Sequence, residues 1–537
     1  MQAFLESTQA HHVLAAAIRA AEILSMLLDD EDVPRFGEHR DEHAGLLPLL
    51  GVERFDRRTL NRALAAHAAT RPERHEVTVQ VVLHADDDSQ TVVREVFTLT
   101  REALAPDTVG LQLQEAKDLL TAVQDTLVEH QVSTALSAQI RCPNCGNPRR
   151  HKDSRRIVVR TLFGVLRLDS PRWWSCPRTP RPGARTFSPL AAVLRERITP
   201  ELSYLQARFA GLVSYGLSAD LLNEVLPLGR ALHATTVRRQ AQATAQRLED
   251  ELGDERPSFI TGCPADWAEL PRPDLPLVVG LDGGYVHSCT QRTRRDGWFE
   301  VIAGKAMPAD GRSCCFGYVQ TYDSKPKRRL FEVLASKGMQ ANQQVTFLTD
   351  GGDDIRDLPR YLNPQAEHLL DWFHITMRIT VLTQLAKGLR CPPERSANIA
   401  QELQRVKWFL WHGNVFRARQ TVDDLTTDLT DGGVEPVKLA KAVREFGGYL
   451  AANAAAIPNY GERRLAGETI STSFVESAVN QVISKRMVKK QQMRWSPRGA
   501  HLLLQIRTRV LNDTLTDDYR RWYPDFTHTT DQEHLAA

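Results

Sequence analysis

Residues 276–375 limit the fold of this chain more than any other stretch, because strand-like and helical patterns follow one another there in a fixed order. The run LPLVVGLDGG is apolar and β-branched up to two glycines, which predicts a strand over 276–282. Two more strand-like runs follow, GWFEVIAGKAMP and CCFGYVQTYD. Then come a helical pattern, PKRRLFEVLASKGM, a strand, QQVTFLTDGG, a second helix, DIRDLPRYL, and a last strand, AEHLLDWFH. Three strands in a meander followed by helix–strand–helix–strand predict one mixed sheet with helices against it. Residues 376–464 then read as largely helical, and 472–512 as a further long helical region.

That element order is the one found in ribonuclease-H-like sheets, and acidic residues stand at its strand ends. Asp282 ends the first strand and Asp350 the fourth, each before a Gly-Gly pair. A carboxylate at the end of a buried strand is costly without a partner, although an aspartate before glycine is most often a turn residue. Parallel pairing of the two strands sets both acids at the carboxyl edge, where α/β sheets place their sites. Carboxylates held together repel unless a cation lies between them, and Mg²⁺ suits an oxygen set completed by water and phosphate. Glu476 supplies a third acid at the start of a helix, with Ser471 to Ser473 as capping residues. Asp353 and Asp354 compete with Asp350 but fit a helix N-cap better. Asp371 and His374 are expected on the last strand, as accessory groups near the acids.

Charge is distributed in blocks along the chain. The whole carries +2, yet residues 1–140 hold 12 Lys/Arg against 23 Asp/Glu, and residues 141–186 hold 12 against 2. Between Glu476 and Asp513 stand eight Lys/Arg and no acid. Basic blocks of this kind suit phosphate neutralisation on nucleic acid. Lys485, Arg486, Lys489, Lys490 and Arg494 are therefore expected to contact phosphates; Trp495 is expected either to stack on a base or to sit in the core. Residues 191–255 read as a helix-turn-helix region, or else an ordinary helical hairpin, with Arg238 and Arg239 at the start of its second helix.

Residues 141–190 outline a zinc-ribbon-like module that opens on CPNCG. Cys142, Cys145 and Cys176 could bind Zn²⁺ with a fourth ligand such as His151, or the module could be a degenerate ribbon held by packing. The first 65 residues read as helical, and a hairpin and an amphipathic helix follow before residue 140. The N-terminus is broken by Glu6, Arg19 and Glu22, so it does not read as a signal peptide, and no apolar run is long enough to span a membrane. A cytoplasmic protein with reduced thiols is the expectation.

On these residues the sequence resembles the DDE transposases, specifically the ISKra family of bacterial insertion sequences. The likeness runs through LQEAKDLLTAVQDTLVEHQ, CPNCG, RTLFGVLRLDSPRW, LVSYGLSADLLNEVLP, HATTVRR, LDGGYV, FLTDGG and LLDWFHI. Its most specific stretch is FVESAVNQVISKRMVKKQQMRWSPRGAHLLLQIRTRVLN. The resemblance implies Asp282, Asp350 and Glu476 as a catalytic triad, and DWFH is similar to the Asp-x-x-His motif of Mutator-like transposases. One departure is Arg178, where the family carries the last cysteine of its second knuckle.

The expected fold is a multidomain α/β chain: a ribonuclease-H-like mixed sheet with a helical insertion, preceded by a zinc-ribbon-like module and a helix-turn-helix region. The expected domains are 1–140, 141–190, 191–255, a catalytic core in two parts (272–375 and 465–515), a helical insertion (376–464), and a tail (516–537). The expected function is Mg²⁺-dependent cleavage and strand transfer on double-stranded DNA, at terminal inverted repeats and into target DNA, by a dimer or larger assembly. Two alternatives stay open: a nuclease of the same fold that does not join strands, and a non-catalytic DNA-binding regulator.

Overall fold

The computed structural model describes residues 75–84, 91–101, 105–176, 186–271, 277–289, 297–309, 311–352, 358–431, 437–488 and 493–527. The expected N-terminal helices, Arg178, Asp353, Asp354, Lys489 and Lys490 lie outside these residues. The chain forms two compact units: Met1–Leu202 with Ala219–Leu232 and Asp525–Ala537, and Ser203–Ser218 with His233–Pro524. The 191–255 region is thus divided between them.

In the first unit, β1 (His75–His84) and β2 (Thr91–Arg101) pair antiparallel with an irregularity between Val79 and Gln80. Helix α1 (Leu113–Ser137) is tied to β2 by Arg101, whose guanidinium donates to both oxygens of Glu115 at 2.8 and 2.6 Å. Next, β3 (His151–Thr161), β4 (Gly164–Trp174) and β5 (Thr186–Phe187) form a three-stranded antiparallel sheet. The β3–β4 turn closes tightly between Thr161 and Gly164, and Gly164 takes φ +140°, a conformation that disfavours a side chain. Ile157 and Val159, alternate residues of β3, face Leu166 and Leu190 and the α1 residues Val128, Val132 and Leu136. Leu190 belongs to the short α2 (Pro189–Val193), capped by Ser188. The helices α3 (Pro200–Leu212) and α4 (Tyr215–Val225) each run across the division between the units.

The second unit contains α5 (Ala234–Glu251), the short α6 (Pro264–Ala268) and a five-stranded mixed sheet. Its strands are β6 (Leu277–His287), β7 (Trp298–Pro308), β8 (Cys314–Val319), β9 (Val345–Thr349) and β10 (Ala366–Leu370), in the order β10-β9-β6-β7-β8. Strands β6, β7 and β8 are the antiparallel meander, while β9 and β10 add parallel on the other side of β6. Helix α7 (Pro326–Ala335) lies between β8 and β9, and its Leu330 and Leu334 join Leu277, Val279 and Leu281 in one core. The expected helix before β10 is, in its described part, a short 3₁₀ turn, Leu358–Tyr361.

Strand β6 runs five residues beyond Asp282 rather than ending there. The cause is β7, which pairs with β6 along its whole length, from Leu277↔Pro308 to His287↔Trp298. The parallel partner β9 stops earlier, at Gly280↔Leu348.

A helical bundle follows β10: α8 (Trp372–Lys387), α9 (Pro393–Trp411), α10 (Val415–Asp431), α11 (Val437–Ala452) and α12 (Tyr460–Leu465). Ile375, Ile379 and Leu382 of α8, Ile399, Leu403, Val406 and Leu410 of α9, and Leu439, Val443, Phe446 and Leu450 of α11 recur at helical spacing and share one core. The chain then returns to the sheet through α13 (Ser473–Val479), which passes into a π-helical run, Asn480–Val488. It closes with α14 (Pro497–Leu511), buried from Gly499 to Thr508, and α15 (Leu515–Trp522). No helix among the described residues is long and apolar enough to cross a membrane.

Candidate functional site

Three structural facts bring acidic residues together where β9 and β10 end beside the middle of β6. The first is register. Gly280 pairs with Leu348, so Asp282 and Asp350 each stand two residues past the last rung shared by β6 and β9. Both are partly buried, and each is held locally: Asp282 Oδ1 accepts from the Gly283 amide at 2.8 Å, and Asp350 Oδ1 from the Gly352 amide at 3.0 Å.

The second is a face made of glycine. Gly280, Asp282 and Gly284 alternate onto one side of β6, opposite Leu277, Val279 and Leu281. A Cβ on Gly280 would lie 2.0 Å from Val475, and one on Gly284 would lie 2.9 Å from Ile483. The bare backbone therefore lets α13 and the π-helical run lie directly on the strand face that carries Asp282. Glu476 follows Val475 on α13, is exposed, and sits in the first turn. Within the expected capping stretch, Ser471 to Ser473, the N-cap is Thr472, and its hydroxyl is engaged elsewhere.

The third is a buried carboxylate that ties these parts together. Asp371 and His374 were expected on the last strand, but β10 ends at Leu370. Asp371 is the N-cap of α8, accepting from the Phe373 amide at 2.9 Å, and His374 lies in the helix's first turn. Asp371 is fully buried and also accepts from the Thr472 amide at 3.0 Å, from the Thr472 hydroxyl, and from His374 Nδ1 at 2.8 Å. With Nδ1 bound there, His374 Nε2 points to Asp282 Oδ1 at 3.8 Å. Asp371 thus joins the end of the sheet to the segment leading into Glu476.

The electrostatics follow from this crowding. Burial raises the Asp282 carboxyl above its ordinary value, against the pull of His374 and the Gly283 amide; Asp350 and Asp371 push it up further. Burial disfavours protonated His374, but the Asp371 hydrogen bond and the charges of Asp371, Asp282 and Asp350 outweigh it and raise its pKa. The site gathers more negative charge than one imidazole neutralises, although Asp282, Asp350 and Glu476 are not among the groups of described residues whose ligand atoms lie within 4.8 Å of one another.

The basic residues separate into two groups. Arg238 and Arg239 are exposed on α5, and Lys485, Arg494 and Arg498 are exposed after Glu476. Arg486 is buried rather than free to contact phosphate as expected, and of the two places expected for Trp495 it takes the core. Arg486 is fully buried, its guanidinium 5.0 Å from the Tyr215 ring and 5.5 Å from the Trp495 ring, with Nε donating to the Ala210 carbonyl at 3.1 Å. Burial lowers its pKa to about 10. Trp495, 4% exposed, pairs its backbone with the end of β6, through its amide to His287 O at 2.8 Å and its carbonyl from Cys289 N at 2.9 Å. The spacing of Val482, Ile483, Arg486 and Met487 puts the arginine on the buried helical stripe, a signal present in the sequence.

In the first unit, ligand atoms of Cys142, Cys145 and Cys176 lie within 4.8 Å of one another, and Cys145 and Cys176 sulfurs are 3.5 Å apart. The Asn147 amide lowers the Cys145 pKa, but the Cys176 sulfur, burial and the Cys142 sulfur outweigh it, for a net rise. His151 is not the fourth member: it is exposed at the start of β3, with Nε2 3.2 Å from the Ser154 hydroxyl. A second group, Glu249, Asp323 and His501, has ligand-like spacing in the other unit. Its centre holds a cation of the chain's own, Arg329, at 2.8 Å from Asp323, 2.8 Å from Glu249 and 2.7 Å from Gln505.

No family model matches the chain, and no curated protein matches it. Among solved structures it is similar to the Drosophila P element transposase strand transfer complex, at 9% identity over 63% of this chain and 84% of that chain, with a TM-score of 0.20. A superposition at that score does not define a shared fold.

Proposed function

We propose that this protein is a DDE-type DNA transposase with a ribonuclease-H-like catalytic core, in which Asp282, Asp350 and Glu476 carry phosphoryl transfer on DNA. The observation that carries the reading is the register of Asp282 and Asp350 beyond the last β6–β9 rung, with the Glu476 helix packed on the same face of β6. The sequence resemblance to ISKra transposases supports the same three acids.

Asp282, Asp350 and Glu476 would hold Mg²⁺, which when bound supplies the charge neutralisation that attack on a phosphodiester needs. His374, held by Asp371, would place a positive charge beside Asp282 when protonated, with Nε2 3.8 Å from its Oδ1. Lys485 and Arg494, with Arg238 and Arg239, would neutralise phosphates of the bound strands. Cys142, Cys145 and Cys176 fit Zn²⁺: thiolates about 2.3 Å from one ion stand close to the sulfur spacing seen here. They would tie the knuckle to the end of β4.

The test is a supercoiled donor plasmid carrying the gene with its native flanks, incubated with target DNA, Mg²⁺ and purified protein. Joined products lost in Asp282→Asn and in Glu476→Gln support the proposal. Cleaved donor without joined product replaces it with the nuclease. Binding to the flanks with no cleavage, and unchanged function in cells carrying Asp282→Asn, replaces it with the regulator.

A further inference from the structure

Two tyrosines of the helical bundle reach the acidic site, although neither touches a carboxylate. Tyr449, on α11, donates its phenol to the main-chain carbonyl of Asp350 at 2.9 Å. Tyr460, at the start of α12, donates to the main-chain carbonyl of Leu370 at 2.7 Å. These carbonyls belong to the residue just past β9 and to the residue just before Asp371. The β9–β10 ladder ends at Thr349↔Leu370, so Asp350 lies beyond its last rung. A carbonyl there needs a donor from elsewhere, and the bundle provides one.

The surroundings make both donors rigid. Tyr460 is fully buried in the bundle core, 4.8 Å from the Trp372 ring. Tyr449 carries the Arg378 guanidinium 4.0 Å from its ring centre. Burial is the main cause holding both phenols well above the ordinary tyrosine range, so each remains a protonated donor. One turn after Tyr449, the Asn453 side chain fills the space a Cβ on Gly351 would need, at 2.8 Å, and Gly351 takes φ +84°. The backbone that leaves Asp350 is thus moulded to the end of α11.

We infer that the helical bundle positions the acidic site: the hydroxyls of Tyr449 and Tyr460, through the main-chain carbonyls of Asp350 and Leu370, set the strand ends from which Asp350 and Asp371 project. The consequence for metal binding rests on the proposed role of the acids; the positioning itself does not. Whatever displaces α11 or α12 then moves the carboxylates, without any change in the sheet.

The experiment compares full-length wild type with Tyr449→Phe, Tyr460→Phe and, as a bundle-core control, Leu425→Ala. Hydrogen exchange is followed at Gly351, Gly352 and Asp371, whose amides bond Thr349 Oγ1 at 3.1 Å, Asp350 Oδ1 at 3.0 Å and Thr349 O at 2.9 Å. Mn²⁺ binding is followed by electron paramagnetic resonance, with Asp282→Asn defining site-specific binding. Each Phe variant is expected to speed local exchange and to weaken Mn²⁺ binding by up to about tenfold, the factor one hydrogen bond of ordinary net strength supports. Leu425→Ala is expected to lower the melting temperature and leave both readouts unchanged. Wild-type exchange at these amides in both Phe variants overturns the positioning role, whatever Mn²⁺ does. Faster exchange with no Asp282-dependent Mn²⁺ binding in wild type upholds positioning and removes the metal reading.

Discussion

Arg486 shows how a single residue can carry the composition of a DNA-binding segment and do something else. It lies in a block of Lys and Arg without acids, yet its side chain is in the core between two aromatic rings. Its burial and lowered pKa say that the charge is tolerated there rather than favoured. Packing volume is then the larger contribution, and the two terms can be separated. Arg486→Ala should cost about 3 kcal/mol by leaving a cavity, whereas Arg486→Met, which keeps most of the volume, should cost less than about 1.5 kcal/mol. Urea denaturation checks both. Lys485 is exposed one residue earlier, and Lys485→Ala should weaken DNA binding and lower the slope of affinity against salt by about one, while Arg486→Met leaves that slope unchanged. An equal slope change in the two variants would return Arg486 to the phosphate-contacting set.

At the scale of elements, the strands and their order were legible because apolar runs there are bounded by Gly, Pro and charged turns. The length of β6 was not, since it depends on pairing with β7, more than ten residues further along. The start of α8 was also missed: HLLDWF reads as one apolar run, although an aspartate before a helical pattern is an N-cap signal. Tyr449 and Tyr460 were out of reach altogether, because their carbonyl partners lie 99 and 90 residues away in the chain. Gly280 is the element-scale test of the site. A Cβ there would meet Val475 Cγ2 at 2.0 Å and Phe474 Cζ at 2.9 Å, so α13 must shift and take Glu476 with it. Gly280→Ala should destabilise the fold by about 1–3 kcal/mol and, on the proposed function, abolish strand transfer, and Val475→Ala in the same chain should restore part of both. Strictly additive losses in the double variant would mean that the glycine serves β6 and not the docking of α13.

On the largest scale, the second unit is fastened by one buried ion network rather than by hydrophobic contact alone. Arg329 of α7 bridges Asp323, Glu249 of α5 and Gln505 of α14, and His501 of α14 stands 3.3 Å from Glu249. Three helices from distant parts of the sequence therefore meet on a single guanidinium, 8% exposed. The Glu249 carboxyl records the strength of this junction. Burial alone would raise its pKa, yet hydrogen bonds from His501 and Arg329 and their charges lower it from 4.5 to about 2. A carboxyl whose folded value lies below its unfolded value stabilises the fold above the unfolded value, and the benefit is lost as pH falls toward the folded one. The relevant window is therefore from about 4.5 down to about 2, and the loss across it is on the order of 3 kcal/mol. Glu249→Gln should be less stable at neutral pH, because Arg329 loses one of its two carboxylates, and should show a flatter decline of stability between pH 5 and pH 2. Urea midpoints across that range, with wild type and variant side by side, measure both effects. Parallel declines would place the acid sensitivity of the fold elsewhere and leave the Arg329 junction a matter of geometry alone.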